Sequence, residues 1–331
     1  MSLLEVRDLH VELATARGPA RAVRGLDFTL ERGETLGIVG ESGCGKSLTA
    51  LALLGLLPEG ARASGSIVYD GRDLLRLPEA ELCRLRGNRI AMIFQEPMTS
   101  LNPLQRIGEQ VAEPMLLHQK LGRAEAFERV VALLDRVGLS EPRRRAEAYP
   151  HQLSGGQRQR VMIAMALACN PDILVADEPT TALDVTIQGQ ILDLIDDLVD
   201  ERGMALMLIS HDLGVIAESV RRVLVMYAGQ AVEHGPVLDV FAAMAHPYAQ
   251  GLFGAMPRLG RPPGWSMAGE LPTIPGIVPD LHELGRGCAF APRCALAQDR
   301  CRDSTPPDIA IGPAHVAKCW RTDISRQGRV P

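Results

Sequence analysis

The chain has 331 residues, with 35 Lys and Arg against 40 Asp and Glu for a formal charge of -5, and 46% of it is hydrophobic. That length holds a full core with a smaller appendage, and the mild acidity removes any bulk attraction to nucleic acid or anionic lipid. The start, MSLLEVRDLHVEL, alternates like a strand and lacks a basic-then-apolar leader, so no signal peptide is expected, and no uncharged apolar run approaches the ~18 residues of a membrane helix.

Antiparallel strands are expected over Leu3–Leu13 and Ala22–Leu30. An apolar strand, TLGIV (Thr35–Val39), and an apolar helix over Ser47–Leu57 then flank GESGCGKS, residues 40–47. GxxxxGKS is a phosphate cradle: glycines let backbone N-H groups turn inward, Lys46 reaches the terminal phosphates, and the Ser47 hydroxyl suits Mg2+. The expected nucleotide contacts are Gly40, Ser42, Gly43, Cys44, Gly45, Lys46, Ser47 and Leu48. Lysine occurs only at positions 46, 120 and 318, so a compact ammonium has been kept where a phosphate wants one.

SIVYD (Ser66–Asp70) reads as a strand, followed by a helical stretch and then RIAMIFQEP, whose apolar run ends at Gln95. Helical spacing dominates Leu104 to about Ala148. DILVADEP (Asp172–Pro179) resumes parallel-sheet character and ends in two carboxylates: Asp177 to hold Mg2+ through water, Glu178 to face a nucleophilic water. A helix from Val185 to Asp200, the strand MALMLIS ending at Ser210 before His211, strands at Arg222–Tyr227 and Gln230–Glu233, and a helix in VLDVFAAM complete the compact part.

LSGGQRQRVMIAMALACNP (Leu153–Pro171) places Ser154, Gly155, Gly156 and Gln157 at the start of an amphipathic helix, where hydroxyl, backbone N-H groups and helix dipole suit an anion. Two separate phosphate surfaces in one chain make sense if each completes the other across a head-to-tail dimer.

These motifs, in this order, resemble the ATP-binding subunits of ABC transporters over about residues 3–255. The resemblance implies an α/β P-loop nucleotide-binding fold with an antiparallel β subdomain and a helical subdomain at about 100–165. In it GESGCGKS is the Walker A loop, LSGGQ the signature, and ILVADE the Walker B strand with Glu178 as catalytic carboxylate. Gln95 matches the glutamine that senses Mg2+ and faces the membrane partner, Asp184 in TALD the D-loop aspartate, and His211 the switch histidine. Glu178, His211 and Lys46 are thus the implied catalytic residues, with ATP and Mg2+ as cofactors and Ser47, Gln95 and Asp177 near the metal. Many relatives stack an aromatic residue from the first hairpin on adenine; LATARGPARAV has none, and Arg17 or Arg21 is the expected substitute.

Residues 256–286 are Pro- and Gly-rich and read as a linker to a Cys-rich extension at 287–331. Cys288, Cys294, Cys301 and Cys319 stand with gaps of five, six and 17 residues. Four thiols with little core around them suggest a zinc or iron-sulfur centre, with disulfides or unlinked cysteines as alternatives. With LPTIPGIVP before it, the tail resembles the extension of oligopeptide and dipeptide ABC importers, which implies a [4Fe-4S] cluster.

That branch implies a peripheral ATPase on the cytoplasmic face of a bacterial inner membrane, working with two permeases, a second ATPase subunit, and a periplasmic solute-binding protein. The cargo would be di- or oligopeptides, with glutathione or nickel complexes as alternatives. A soluble ABC ATPase acting on nucleic acid or ribosomes is the rival class. No nucleic-acid partner is expected.

Overall fold

The computed structural model describes residues 2–95, 100–181, 184–255 and 273–325. Its strands are β1 Leu4–Thr15, β2 Gly18–Leu30, β3 Thr35–Val39, β4 Arg62–Tyr69, β5 Arg72–Asp73, β6 Ile90–Ile93, β7 Ile173–Asp177, β8 Ala205–Ser210, β9 Arg222–Tyr227, β10 Gln230–Pro236, β11 Ile309–Ala310 and β12 Val316–Ala317. The helices discussed are α1 Lys46–Leu54, α2 Glu79–Leu85, α3 Ile107–His118, α4 Arg123–Arg136, α5 Pro142–Ala146, α6 Gly155–Leu167, α7 Val185–Arg202, α8 Leu213–Ser219, α9 Val237–Ala242 and α10 Pro247–Gly254.

The central sheet runs β11-β12-β10-β9-β3-β8-β7-β6, and β2-β1-β4-β5 form a second, antiparallel sheet. Strands β3, β7 and β8 are buried at every position, as the unbroken apolar runs of a sheet covered on both faces require. Alternate side chains enter opposite cores. Ile173, Val175, Met207 and Ile209 pack with α1 and the antiparallel sheet, whereas Leu174, Ala176, Leu206 and Leu208 pack with the helical layers.

The helical insert is α3, α4 and α5. Ala126, Val130 and Leu134 recur every four residues as the buried stripe of α4. Helix α1 stops at Leu54, short of the expected Leu57, because Gly55 takes a left-handed φ of 62° and its N-H closes onto Leu51 and Ala52 carbonyls. Helix α10 was not anticipated; its proline and glycines hide the periodicity. His246 caps it, Nδ1 accepting from the Tyr248 backbone at 3.1 Å.

The C-terminal extension continues the central sheet, since β12 pairs antiparallel with β10 through Glu233–Ala317 and His234–Val316. Glu233, fully buried, sits at this seam. Its carboxylate accepts from Ala245 N at 2.7 Å, His246 N at 2.8 Å and His315 Nε2 at 2.7 Å, donors enough to offset burial of the charge. Residues 256–272 of the expected linker lie outside the described residues.

Candidate active site

After β3 the chain turns tightly back to start α1. Gly40 has φ 155°, and a Cβ there would stand 2.2 Å from Met226 O; at Gly45, φ 101°, one would stand 2.8 Å from Ala22 O. The loop therefore lies where only glycine lets its backbone press on β2 and β9. Lys46 is buried, and Nζ donates to Gly40 O at 2.7 Å and Glu41 O at 3.2 Å, holding the ammonium against the loop's own carbonyls.

Parallel pairing brings the carboxyl ends of β3, β8, β7 and β6 side by side: Val39 opposite Ser210, Asp177 opposite Ile209, and Ile93 opposite Ala176. Such sheets bind ligands at these ends. Asp177 is buried, and Oδ1 has no hydrogen-bond partner in the protein. Burial pushes its carboxyl pKa up, the Ser47 hydroxyl holds it down, and neighbouring Glu178 raises it again. A buried carboxylate oxygen left over beside a hydroxyl fits a hard divalent cation.

Glu178 takes a left-handed φ of 47°, a strained placement for this residue type that aims its side chain off the strand. Its Oε2 accepts from Gln95 Nε2 at 3.0 Å and Thr181 Oγ1 at 2.9 Å, with His211 Nδ1 at 3.3 Å. Gln95, Glu178 and His211, which lie far apart in sequence, thus meet at one carboxylate.

Ser154 caps α6. Its Oγ accepts from Gln157 N at 3.3 Å while Ser154 N donates to Gln157 Oε1 at 3.0 Å, a reciprocal capping box. Gly155 opens the helix, and a Cβ on Gly156 would lie 3.0 Å from Ile187 Cγ2, so α6 and α7 approach closely there. Asp184 caps α7 by accepting from Ile187 N at 2.9 Å. These bonds close on themselves, leaving a second helix N-terminus apart from the Lys46 loop. Residues 182 and 183 of TALD lie outside the described residues.

Sequence reasoning passed over Glu41, Thr181, Tyr248 and Arg293. Glu41 N donates to Tyr248 Oη at 2.8 Å, and the buried Arg293 side chain bonds both Glu41 carboxylate oxygens. An acidic residue inside a phosphate-binding loop was the available signal, since it calls for a cation nearby.

The ABC transporter family model matches residues 23–181, and the model of the oligopeptide/dipeptide transporter C-terminal region matches 232–301. The oligopeptide transport ATP-binding protein OppD of Salmonella typhimurium is 53% identical over 319 residues, covering 96% of this chain and 93% of that protein. OppD of Escherichia coli is 51% identical over 321 residues, covering 97% and 93%. The chain belongs to the ATP-binding subunits of ABC transporters. The ATP-binding cassette MJ0796, solved as a dimer in a post-hydrolysis state with ADP and Pi, superposes on this ABC ATPase with a TM-score of 0.64 at 29% identity, covering 71% of this chain and 98% of that one. The fold is the P-loop nucleotide-binding fold with mixed sheet, helical subdomain and distinct C-terminal region.

The extension of this ABC ATPase corrects one expectation. Among the described residues no group of three or more His, Cys, Asp or Glu side chains could hold a metal ion, so neither the [4Fe-4S] cluster nor the zinc expected at Cys288, Cys294, Cys301 and Cys319 is supported. All four are free thiols. The cavity they line holds about 20 Å3, room for about one water rather than a cluster. Burial pushes up the pKa of Cys288 and Cys294, and that of Cys319 to about 11, keeping them protonated at neutral pH. They serve as small apolar groups, Cys288 and Cys294 packing against the helical-side core. The sequence suggested a cross-link because the extension looked coreless; Phe290, buried against Tyr227 and Tyr248, supplies the missing core.

Proposed function

We propose that this chain hydrolyses ATP to drive import of oligo- or dipeptides as an ATPase subunit of an Opp-type ABC importer. The observation that carries the chemistry is the meeting of Gln95, Thr181 and His211 on Glu178, at the carboxyl ends of the parallel strands beside Asp177 and the Lys46 loop. Glu178 orients water and takes its proton, His211 and Gln95 hold that carboxylate in place, and Lys46 leaves its carbonyl partners to bind the terminal phosphates. Ser47, Asp177 and Gln95 would hold Mg2+, which neutralises phosphate charge when bound. The backbone N-H groups of Gly43, Cys44, Gly45 and Leu48 would line the phosphates.

The solved relative is dimeric, and by its analogy Ser154, Gly155, Gly156 and Gln157 of one subunit would close on the phosphate loop of another, with Asp184 at the same seam. The partner reading comprises a second ATPase subunit, two permeases and a periplasmic solute-binding protein. Among the described residues no helix is long and apolar enough to cross a membrane. Membership of the ABC transporter ATPases is the ground for placing the chain peripherally on the cytoplasmic face of the inner membrane, held by its permeases. A groove of about 360 Å3 beside Gln95, lined by Leu56, Met92, Phe94, Pro114, Leu117 and Met165, offers an apolar seat for them. OppD of Salmonella typhimurium and of Escherichia coli are oligopeptide transport ATP-binding proteins, which favours peptide over glutathione or nickel complexes as cargo.

The test is Glu178→Gln. It is expected to lower ATP turnover by about 10^2-fold or more while keeping ATP binding, and to co-purify from solubilised membranes with two multispanning subunits and a second ATPase. Unchanged hydrolysis would remove Glu178 from its role. Recovery of ribosomal or DNA-bound partners alone would move the protein to the soluble class.

A further inference from the structure

The stretch LATARGPARAV around the turn of the first hairpin carries no aromatic residue for a base to lie on, and Arg21 does not line the space in front of the phosphate loop, although Arg17 does. That space is a cleft of about 560 Å3. Ser42 and Gly43 of the phosphate loop form one side, Arg17 and the end of the hairpin a second, and Val278, Leu281 and His282, in the segment that leads into the C-terminal extension, the third. We propose that this third side is the wall on which the base of ATP packs, so that the segment leading into the extension completes the nucleotide site. The proposal rests on the phosphate-loop reading above, because Ser42 and Gly43 of that loop border the cleft.

The wall is fixed from both directions. Arg17 Nη1 donates to Asp280 Oδ2 at 3.0 Å, across 263 positions. The Thr15 hydroxyl donates its one hydrogen to Gly18 O at 2.7 Å, so toward His282 Nε2, 3.0 Å away, it accepts. His282 therefore carries a hydrogen on Nε2 and is tethered by its edge, which holds the ring at the cleft while sparing its face. Asp280 closes the segment on itself, Oδ1 accepting from His282 N at 2.9 Å and its carbonyl from Glu283 N at 2.9 Å. An imidazole face flanked by Val278 and Leu281 gives a purine the flat, apolar surface that the hairpin lacks. Arg17, engaged with Asp280, is left to border the base rather than to carry it alone.

Two ligands separate the wall from the loop: ATP, and inorganic tripolyphosphate, which has phosphates and no base. Calorimetric titration of the full-length protein with each, in Mg2+, is the experiment. His282→Ala is expected to weaken ATP about tenfold and leave tripolyphosphate unchanged. His282→Phe, which keeps a flat ring, is expected to bind ATP within about twofold of the wild type. Asp280→Ala frees Arg17 and the segment without removing the ring, and is expected to weaken ATP by a smaller factor, again with tripolyphosphate unchanged. Equal weakening of both ligands, or of neither, in His282→Ala and Asp280→Ala overturns the wall while sparing the phosphate loop. Failure of the wild-type protein to bind either ligand overturns the loop reading itself.

Discussion

Arg293 of the C-terminal extension grips Glu41 of the phosphate loop through both carboxylate oxygens, at 2.6 and 3.1 Å, across 252 positions. Its guanidinium also lies 5.8 Å from the Tyr227 ring and 5.9 Å from that of Phe290, and Nε donates to Pro275 O at 2.8 Å. The planar fork, shielded by aromatic rings, ties the loop to the extension. Arg293→Ala and Glu41→Ala are each expected to destabilise the protein, and a double-mutant cycle by denaturant unfolding should return a coupling of about 1–2 kcal/mol. Arg293→Lys should not restore it, because an ammonium cannot make the paired geometry. Additive single and double mutants would show that the contact carries no energy.

Gly40 and Gly43 both have positive φ, 155° and 80°, yet they differ in surroundings. At Gly40 a Cβ meets backbone at 2.2 Å; at Gly43 nothing lies within 4 Å. Gly40→Ala is therefore expected to displace the loop from β9 and abolish detectable ATP binding. Gly43→Ala should cost about 1 kcal/mol of backbone strain and retain binding. Nucleotide titrations and unfolding midpoints of the two variants check the ranking, and equal behaviour would contradict it.

The part of the site legible in the sequence is the part built from local runs. TLGIV, ILVAD and ALMLIS are short, apolar and unbroken, so the strands and the polar residues at their ends could be placed, and parallel pairing then brought Gln95, Glu178 and His211 together. The extension followed no such rule. Proline and glycine around Val278–His282 resemble a linker whether or not the segment lines a cleft, and Glu233–His315 and Arg293–Glu41 pair residues too distant for any periodicity to expose. Reading the four cysteines as ligands failed for the same reason: Cys288 and Cys294 pack against a core built mostly from distant parts of the chain.

Thiol accessibility follows from that burial. Cys83 is exposed, Cys288 and Cys294 are intermediate, and Cys44, Cys169, Cys301 and Cys319 are buried. In the native protein a thiol reagent is expected to modify Cys83 first, with Cys301 and Cys319 reacting only as the extension opens. Chelation should leave the unfolding midpoint unchanged. Mass mapping of labelled peptides during a denaturant ramp checks the order; early labelling of Cys301 or a chelator-dependent midpoint would contradict it.

The His246 imidazole makes one seam of the protein acid-sensitive. Complete burial lowers its pKa from the ordinary 6.5 of a histidine to about 3. Nδ1 accepts from Tyr248 N, so the neutral ring is also the one that caps α10. Above about pH 6.5 the ring is neutral in both the folded and unfolded chain, and its contribution is fully present. Between about 6.5 and 3 the unfolded chain binds a proton that the folded one refuses. Stability is therefore lost as pH falls, by up to about 1.4 kcal/mol per unit from this group. His246→Asn keeps a capping acceptor and removes the titration. Denaturant midpoints at pH 7.5, 6.5 and 5.5 should fall more steeply for the wild type than for the variant, the difference opening only below about pH 6.5. Parallel curves would mean that water reaches the ring and that the α10 seam is open to protons.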